Sequence, residues 1–423
     1  MKVMVIGSGG REHAIVKKLK ENPTIEMLYA LPGNAGMKGD AVLVPIGAKE
    51  LDKICDFAVE KEIDFAVVAP DDPLVMGLVD RLNAVGVKCF GPKKDAAIIE
   101  GSKAFSKSLM KKYGIPTAKY EIFTDLTEAM RYVDGQEPPI VVKADGLALG
   151  KGVIIAATRE EAKAALGEMM EKGKFGESGK TVVIEEYLEG PEVSVLSFCD
   201  GNIVVPMVSS MDHKRALEGD NGLNTGGMGT IAPNPFYTQE VAAACKEQIF
   251  DRTVAAMKAE GRVFKGCLYF GLMITKSGPK VIEYNCRFGD PETQVVLPLM
   301  QSDLLTVMMK TEAGTLSPSD VKFSDQSACC VIMASKGYPE HYEKGYAIRR
   351  EGEIDGEVFY AGAKEDQGAL VTNGGRVLGV TVKGDTLAGA VKKCYEEIKK
   401  ISFENAYYRR DIGAKAIKRE EKR

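Results

Sequence analysis

The first hundred residues constrain the fold most, because short apolar runs alternate there with amphipathic stretches of helix length. Segments 3–6, 27–31, 65–68 and 87–90 read as buried strands, and 12–21, 50–60 and 73–85 as helices between them. Strand–helix–strand repetition at this spacing implies a parallel α/β layer with right-handed crossovers. Gly91-Pro92 punctuates its end. A helix over 103–113 leads through Gly114-Ile115-Pro116 into a compact strand-and-helix unit, in which strands 140–143 and 153–156 flank a glycine-rich loop. Two hairpins follow, 193–198 with 203–208 and 267–275 with 280–285, and a long helix over 239–260 separates them. From 328 the pattern turns to short strands and Gly turns, closing with a helix over 387–401 and an exposed basic tail at 415–423. The reading is a multidomain α/β and α+β chain divided as 1–101, 102–325 with a mobile unit at 119–190, and a small C-terminal domain at 326–423. A length of 423 residues suits about three such units.

Composition narrows the class. With 45% hydrophobic and 27% charged residues the chain is globular, and a formal charge of −4 leaves no general affinity for nucleic acid or membrane surfaces. No signal peptide precedes the first strand and no apolar run approaches the roughly 18 residues of a membrane span, so a cytoplasmic location is expected. The nine cysteines are scattered without a C-x-x-C pair and read as reduced core residues. Only three histidines are present, which leaves little for a zinc site or a His-based triad.

The chemistry concentrates at V-I-E-Y-N-C-R-F-G-D-P-E, residues 281–292. Glu283, Asn285 and Arg287 are two apart, so on a strand they project from one face. Carboxylate and amide oxygens suit Mg²⁺, which takes one or two protein ligands and fills its other positions with phosphate and water. Arg287 would meet charge developing on transfer. The alternative is a hairpin strand with a solvated polar face.

Gly7-Ser8-Gly9-Gly10-Arg11-Glu12-His13 follows the first strand and opens a helix, where free N–H groups favour an anion. A dinucleotide fingerprint fails here, since Glu12 replaces the third glycine and Leu31-Pro32 stands where an acidic ribose ligand belongs. Arg11 instead offers a bidentate clamp for a phosphate monoester. Pro32-Gly33-Asn34-Ala35-Gly36 forms a second exposed turn at the same sheet edge, and a sugar phosphate would fit between them. Further on, Lys143 ends a strand before the loop Gly146 to Gly152, and no P-loop string is present. Such a lysine can neutralise phosphate while the loop closes over it. The strand V-V-I-E-E-Y-L at 182–188 offers an apolar wall for a purine, with Glu192 near the ribose.

Together, S-K-A-F, V-K-A-D-G-L-A-L-G-K-G-V, E-E-Y-L-E-G-P-E, D-H-K-R, N-T-G-G-M-G and N-C-R-F-G-D-P-E-T-Q resemble the ATP-grasp enzymes. With G-S-G-G-R-E-H-A, P-G-N-A-G and T-N-G-G-R-V, the strings are similar to the phosphoribosylamine–glycine ligase (glycinamide ribonucleotide synthetase) family of purine biosynthesis. The resemblance implies an ATP-grasp fold between an N-terminal parallel α/β domain and a small C-terminal domain. It also implies ATP with Mg²⁺ or Mn²⁺, glycine and 5-phosphoribosylamine as substrates, and glycyl phosphate as the intermediate. Receipt of the labile amine from the upstream pathway enzyme would be compatible with this chemistry.

Residue by residue, the resemblance places Lys103, Lys143, Gly146, Gly150, Lys151, Gly152, Glu185, Glu186, Leu188 and Glu192 around ATP. Gly9, Gly10, Arg11, Asn34 and Gly36 would line the substrate phosphate. Asp212, Lys214, Asn224, Thr225, Gly226, Arg287, Asp290 and Glu292 would surround the reacting groups, with Arg287, Lys103 and Lys143 carrying catalysis and Glu283 and Asn285 the metal. One departure is the preceding hairpin strand, where Tyr269-Phe270-Gly271-Leu272-Met273 lacks the extra glutamate many ATP-grasp enzymes carry. His13 and His213 read as either substrate contacts or supporting hydrogen bonders. A nicotinamide enzyme would rest on the first loop alone, and a non-catalytic nucleotide binder would not need the Lys, Glu, Asn and Arg set. A bicarbonate-using carboxylase is opposed by G-G-R-E-H and D-H-K-R.

Overall fold

The computed structural model describes residues 1–147 and 152–422. Its N-terminal layer is a five-stranded parallel sheet in the order Val42–Leu43, Met27–Pro32, Lys2–Gly7, Phe65–Val68, Lys88–Phe90. The chain leaves Lys2–Gly7 for one neighbour and later returns on its other side, so the loop after Lys2–Gly7 lies at the switch point where open α/β sheets bind ligands. The expected helix over 73–85 is two helices, Asp71–Met76 and Leu78–Ala84. Gly77, at φ 92°, ends the first in the left-handed conformation that a glycine adopts without strain.

The central unit is built on an antiparallel sheet ordered Val204–Pro206, Glu192–Asp200, Lys265–Thr275, Gly278–Asn285. Its long helix is interrupted by a π turn, Lys246–Phe250, between Gln239–Cys245 and Asp251–Ala259. A second antiparallel sheet, Tyr120–Phe123, Val182–Glu186, Ile140–Ala144, Val153–Ala156, has its own core of Val133, Val142, Leu166, Met169 and Ile184. The N-terminal and central layers share one core, in which Met4, Ile6 and Leu31 join Val195, Phe270 and Tyr284 in a single cluster.

The C-terminal sheet crosses the boundary expected at 325/326. Met211–Asp212 and Gly229–Ala232 pair into it beside Ser327–Ser335, Arg376–Gly384 and Glu357–Tyr360. The segment carrying D-H-K-R and N-T-G-G is thereby anchored to the last domain. The final helix of the expected pattern stops at Glu397, because Ile401–Ser402 leaves to pair with Arg349–Arg350. The basic tail is also corrected: Ala414–Glu420 is a helix with Ala416 buried. All nine cysteines are free, with Cys55 half-buried and the others buried. Among the described residues no helix is long and apolar enough to cross a membrane.

Candidate active site

Strand Gly278–Asn285 sets the metal side. Tyr284 is buried in the core, its hydroxyl 2.9 Å from Thr253 Oγ1, so alternation turns Glu283 and Asn285 to the opposite face. Across the ladder Gly271 faces Glu283 and Tyr269 faces Asn285. Lys214 Nζ lies 3.6 Å from Glu283 Oε1 and 3.3 Å from Glu192 Oε2. Burial alone would raise the Glu283 pKa, but Lys214, Lys143, Lys103 and Arg287 outweigh it and hold the carboxyl below its usual range. Glu192 and then Glu283 raise the Lys214 ammonium in turn. One carboxylate and one amide oxygen among four cations form a hard donor pair suited to a metal whose other ligands are phosphate oxygens.

Arg287 lies two residues beyond the strand and is engaged by the N-terminal domain, which the strand-spacing reading did not foresee. Its Nη2 is 3.1 Å from Glu100 Oε1 and 3.8 Å from Asp71 Oδ2, and Nη1 donates to Phe288 O. Glu100 is itself buried and accepts from the Cys286 N–H at 2.7 Å. The Arg287 Nε is buried without a hydrogen-bond partner.

On the nucleotide side, Ser102 caps helix Lys103–Tyr113, and Lys103 Nζ donates to Gly146 O at 2.7 Å. Asp145 accepts from Ser102 Oγ and Ala104 N, so the end of the Lys143 strand is tied to the start of the Lys103 helix. Burial lowers the Lys103 pKa. Lys143 Nζ donates to Ile282 O at 3.1 Å and stands 2.9 Å from Glu185 Oε1. The Glu185 carboxylate also pairs with Lys107, whose Nζ stands 2.9 Å from Oε2, and all three side chains are buried. Glu186 Oε1 is held by Lys119 N and Lys280 Nζ, whereas Leu188 is half-buried and Glu192 exposed. Gly146 takes φ 93° and Gly152 is buried; Gly150 and Lys151 fall outside the described residues.

The first loop also differs from the open anion site expected of it. Glu12, the third helical residue, folds back so that Oε2 takes the Gly9 N–H at 2.6 Å and Oε1 the Arg11 Nε at 2.6 Å. The Arg11 N–H meets Asp290 Oδ2 at 3.3 Å and Nη1 meets Phe288 O at 3.0 Å. Carboxylate oxygens therefore occupy donors assigned to a phosphate, because a helix N-terminus favours any nearby anion. A side chain at Gly10 would meet Gln294 Nε2 at 2.6 Å. Asn34 Nδ2 bridges Ser8 O and Tyr360 O while its Oδ1 accepts from Gly36 N. His13 accepts from Tyr360 N at Nδ1 and faces Asp40 Oδ2 at 3.2 Å, and His213 bridges Gly229 O and Gly413 N. Both histidines hold the C-terminal domain in place.

Asp212 lies near both Lys214 and Glu292, while Asp290 is held by Arg11 N, Gln294 Nε2 and Arg376. Burial and the Glu292 charge push Asp212 well above the usual carboxylate range. Ser194 Oγ bridges Glu292 Oε1 and the Tyr269 hydroxyl. Asn224 pairs with Arg215 in a short hairpin, and the Thr225 N–H and hydroxyl both donate to Lys214 O. Arg376, absent from the sequence-based set, donates to the carbonyls of Gly226, Gly227 and Asp290. Its only signal was its place in T-N-G-G-R-V. Lys107 was indistinguishable from a surface lysine on an amphipathic helix.

Three family models cover the chain in order: the phosphoribosylglycinamide synthetase N domain over residues 1–100, its ATP-grasp (A) domain over 101–293 and its C domain over 328–415. A phosphoribosylamine–glycine ligase of Caldanaerobacter subterraneus is 48% identical over 415 residues, spanning 98% of this chain and all of that relative. The crystal structure of the Thermotoga maritima phosphoribosylamine–glycine ligase superposes with a TM-score of 0.84 at 37% identity, over 97% of this chain and all of that one. The biotin carboxylase domain of a Hydrogenobacter thermophilus 2-oxoglutarate carboxylase shares the fold, with a TM-score of 0.75 at 18% identity over 96% of this chain and 91% of that one. With its three domain models in sequence and a full-length relative at this identity, the chain belongs to the phosphoribosylglycinamide synthetase family.

Proposed function

We propose that the chain joins glycine to 5-phosphoribosylamine at the expense of ATP, giving glycinamide ribonucleotide, ADP and phosphate in purine biosynthesis. The observation that carries this reading is the Lys214 ammonium 3.6 Å from the Glu283 carboxylate, with Lys143, Lys103 and Arg287 near enough to hold that carboxyl below its usual range. Carboxylate activation needs that arrangement, since glycine's carboxylate and a polyphosphate repel as they approach. A glycine carboxylate oxygen attacks the γ-phosphorus, and the bond to ADP breaks with its electron pair leaving on ADP. The phosphoribosylamine nitrogen then attacks the acyl carbon, the C–O bond to phosphate breaks, and the nitrogen loses a proton.

Lys103 and Lys143 neutralise the transferring phosphate, and the unpartnered Arg287 N–H binds an anionic oxygen of the reacting group. Glu283 and Asn285 hold Mg²⁺ or Mn²⁺, which when bound supplies charge neutralisation on the phosphates. The sheet carrying residues 119–190, with its separate core, serves as the lid over ATP, with the backbone near Glu186 and Leu188 against the purine and Glu192 near the ribose. Gly9, Gly10, Arg11, Asn34 and Gly36 face the substrate phosphate, which would compete with the Glu12 carboxylate for the Gly9 N–H. Asp212, Lys214, Asn224, Thr225, Gly226, Asp290 and Glu292 surround glycine and the amine. A cytoplasmic setting fits nine unpaired cysteines, and direct hand-over from the enzyme that makes phosphoribosylamine fits the lability of that amine.

The test is ADP release with ATP, metal, glycine and freshly generated phosphoribosylamine, each omitted in turn. Amide formation requiring all four supports the reading. Turnover that does not depend on glycine contradicts it.

A further inference from the structure

Arg376 reaches from the C-terminal domain into a junction of all three units. Its Nη1 donates to Gly226 O at 2.8 Å, Gly227 O at 3.3 Å and Asp290 O at 2.8 Å, and Nη2 stands 3.3 Å from Asp290 Oδ1. The Asp290 carboxylate is shared further, accepting from Arg11 N of the N-terminal domain and from Gln294 Nε2. Tyr338, also of the C-terminal domain, accepts the Gly226 N–H at 3.0 Å, so the Thr225–Gly227 turn is gripped at both its N–H and its carbonyls. The turn has little freedom to adapt. A Cβ at Gly226 would lie 2.9 Å from the guanidinium carbon, and one at Gly227, where φ is 116°, would meet Pro291 at 2.4 Å and Asp212 Oδ1 at 2.6 Å. A planar guanidinium satisfies several acceptors in one fixed fork, which a lysine ammonium does not reproduce.

We propose that Arg376 is a positioning residue for amine transfer: by fixing the Gly226–Gly227 turn against Asp290 it aligns the amine with the activated acyl carbon. The inference rests on the proposed ligase reaction and deepens it. Among the described residues Arg376 bonds the Gly226–Gly227 turn and Asp290, whereas Lys103 and Lys143 bond Gly146 O and Ile282 O, so its loss should disturb the second step more than the first. When the amine is misaligned, water attacks the acyl phosphate instead: a C–O bond to water forms, the C–O bond to phosphate breaks, and glycine and phosphate are released with ADP already made. ATP is then consumed without amide.

The experiment compares ADP formed with labelled glycine incorporated into amide for the full chain and for Arg376→Ala, Arg376→Lys and Tyr338→Phe, at saturating amine. Thermal melts accompany each variant. Wild type is expected to give equal amounts, while Arg376→Ala raises the ADP-to-amide ratio about threefold or more, since small misplacements of reacting groups are costly. Arg376→Lys should not restore the ratio, and Tyr338→Phe, which loses only the Gly226 contact, should shift it less in the same direction. If Arg376→Ala does not fold, the Lys and Phe variants carry the test. A slower enzyme that still couples ADP to amide one for one overturns the inference, and so does a rise in the KM for the amine at an unchanged ratio. Wild-type enzyme that makes no amide would instead refute the ligase reading itself.

Discussion

Replacing Glu283 by glutamine separates what this carboxylate does for stability from what it does for chemistry. Its nearest charge is Lys214 Nζ at 3.6 Å, and a third of its side chain is exposed. Ion pairs in such settings contribute about 0–1 kcal/mol, and Lys214 keeps Glu192 as a second partner at 3.3 Å. A loss of about 1 kcal/mol lowers the melting temperature by roughly 2–4 °C in a domain of 150–250 residues, and by no more in a chain of this length. The catalytic cost works on another scale. Glutamine keeps an oxygen donor but removes a negative charge that Lys214, Lys143, Lys103 and Arg287 all stabilise. Removing a preorganised group that stabilises developing charge costs about 10²–10³ in kcat. Glu283→Gln should therefore melt within a few degrees of wild type while losing about two to three orders of magnitude in ADP release. It should also need more metal for half-maximal rate. Melting, ADP release and a metal titration on one preparation decide the matter. Wild-type turnover at the same metal concentration refutes the assignment, and so does an activity loss that only follows unfolding.

Three further outcomes follow from particular contacts. His213 accepts from Gly413 N–H and donates to Gly229 O, and burial, then Arg409, pushes its pKa from 6.5 down to about 4. The unfolded chain thus binds the extra proton first, so this contribution is complete above about pH 6.5 and is lost as pH falls toward 4, by up to about 3 kcal/mol; His213→Asn should flatten denaturant midpoints measured between pH 7 and 4.5. A Cβ at Gly36 would lie 2.2 Å from Tyr360 Cγ, so Gly36→Ala should destabilise by about 1–3 kcal/mol, and Tyr360→Ala should relieve that loss in a double-mutant cycle. Lys107→Met leaves Glu185 to Lys143 alone; losing a charge-assisted hydrogen bond costs about 1.5–3 kcal/mol, and steady-state kinetics should show the KM for ATP rising more than that for glycine.

The parts of this molecule legible in the sequence are those set by local periodicity. Alternation of apolar strands and helices gave the parallel layer, and the i, i+2 spacing put Glu283 and Asn285 on one face because Tyr284 between them had to enter the core. The ion pair of Glu185 with Lys107, 78 positions earlier, was not legible, because it depends on long-range packing and on burial that a strand ending in two glutamates does not announce. Glu12 was read only as a missing glycine, although a glutamate three residues after a cap can close a helix start by itself. The sharing of Met211–Asp212 and Gly229–Ala232 with the C-terminal sheet is a long-range pairing of very short strands, and no local pattern encodes it. Arg287 followed the strand spacing on paper, yet the strand ends at Asn285 and Glu100 draws the guanidinium toward the N-terminal domain.

The central claim is that glycine is activated through its own carboxylate before the amine attacks. If so, an oxygen of that carboxylate must leave bonded to phosphorus, because the amide retains only the other. Glycine labelled with heavy oxygen in its carboxylate, taken through a single turnover with ATP and phosphoribosylamine, should yield inorganic phosphate carrying the label, read by mass spectrometry. Unlabelled phosphate alongside full amide formation would contradict the carboxylate-first mechanism and with it the roles given to Glu283, Asn285 and Arg287.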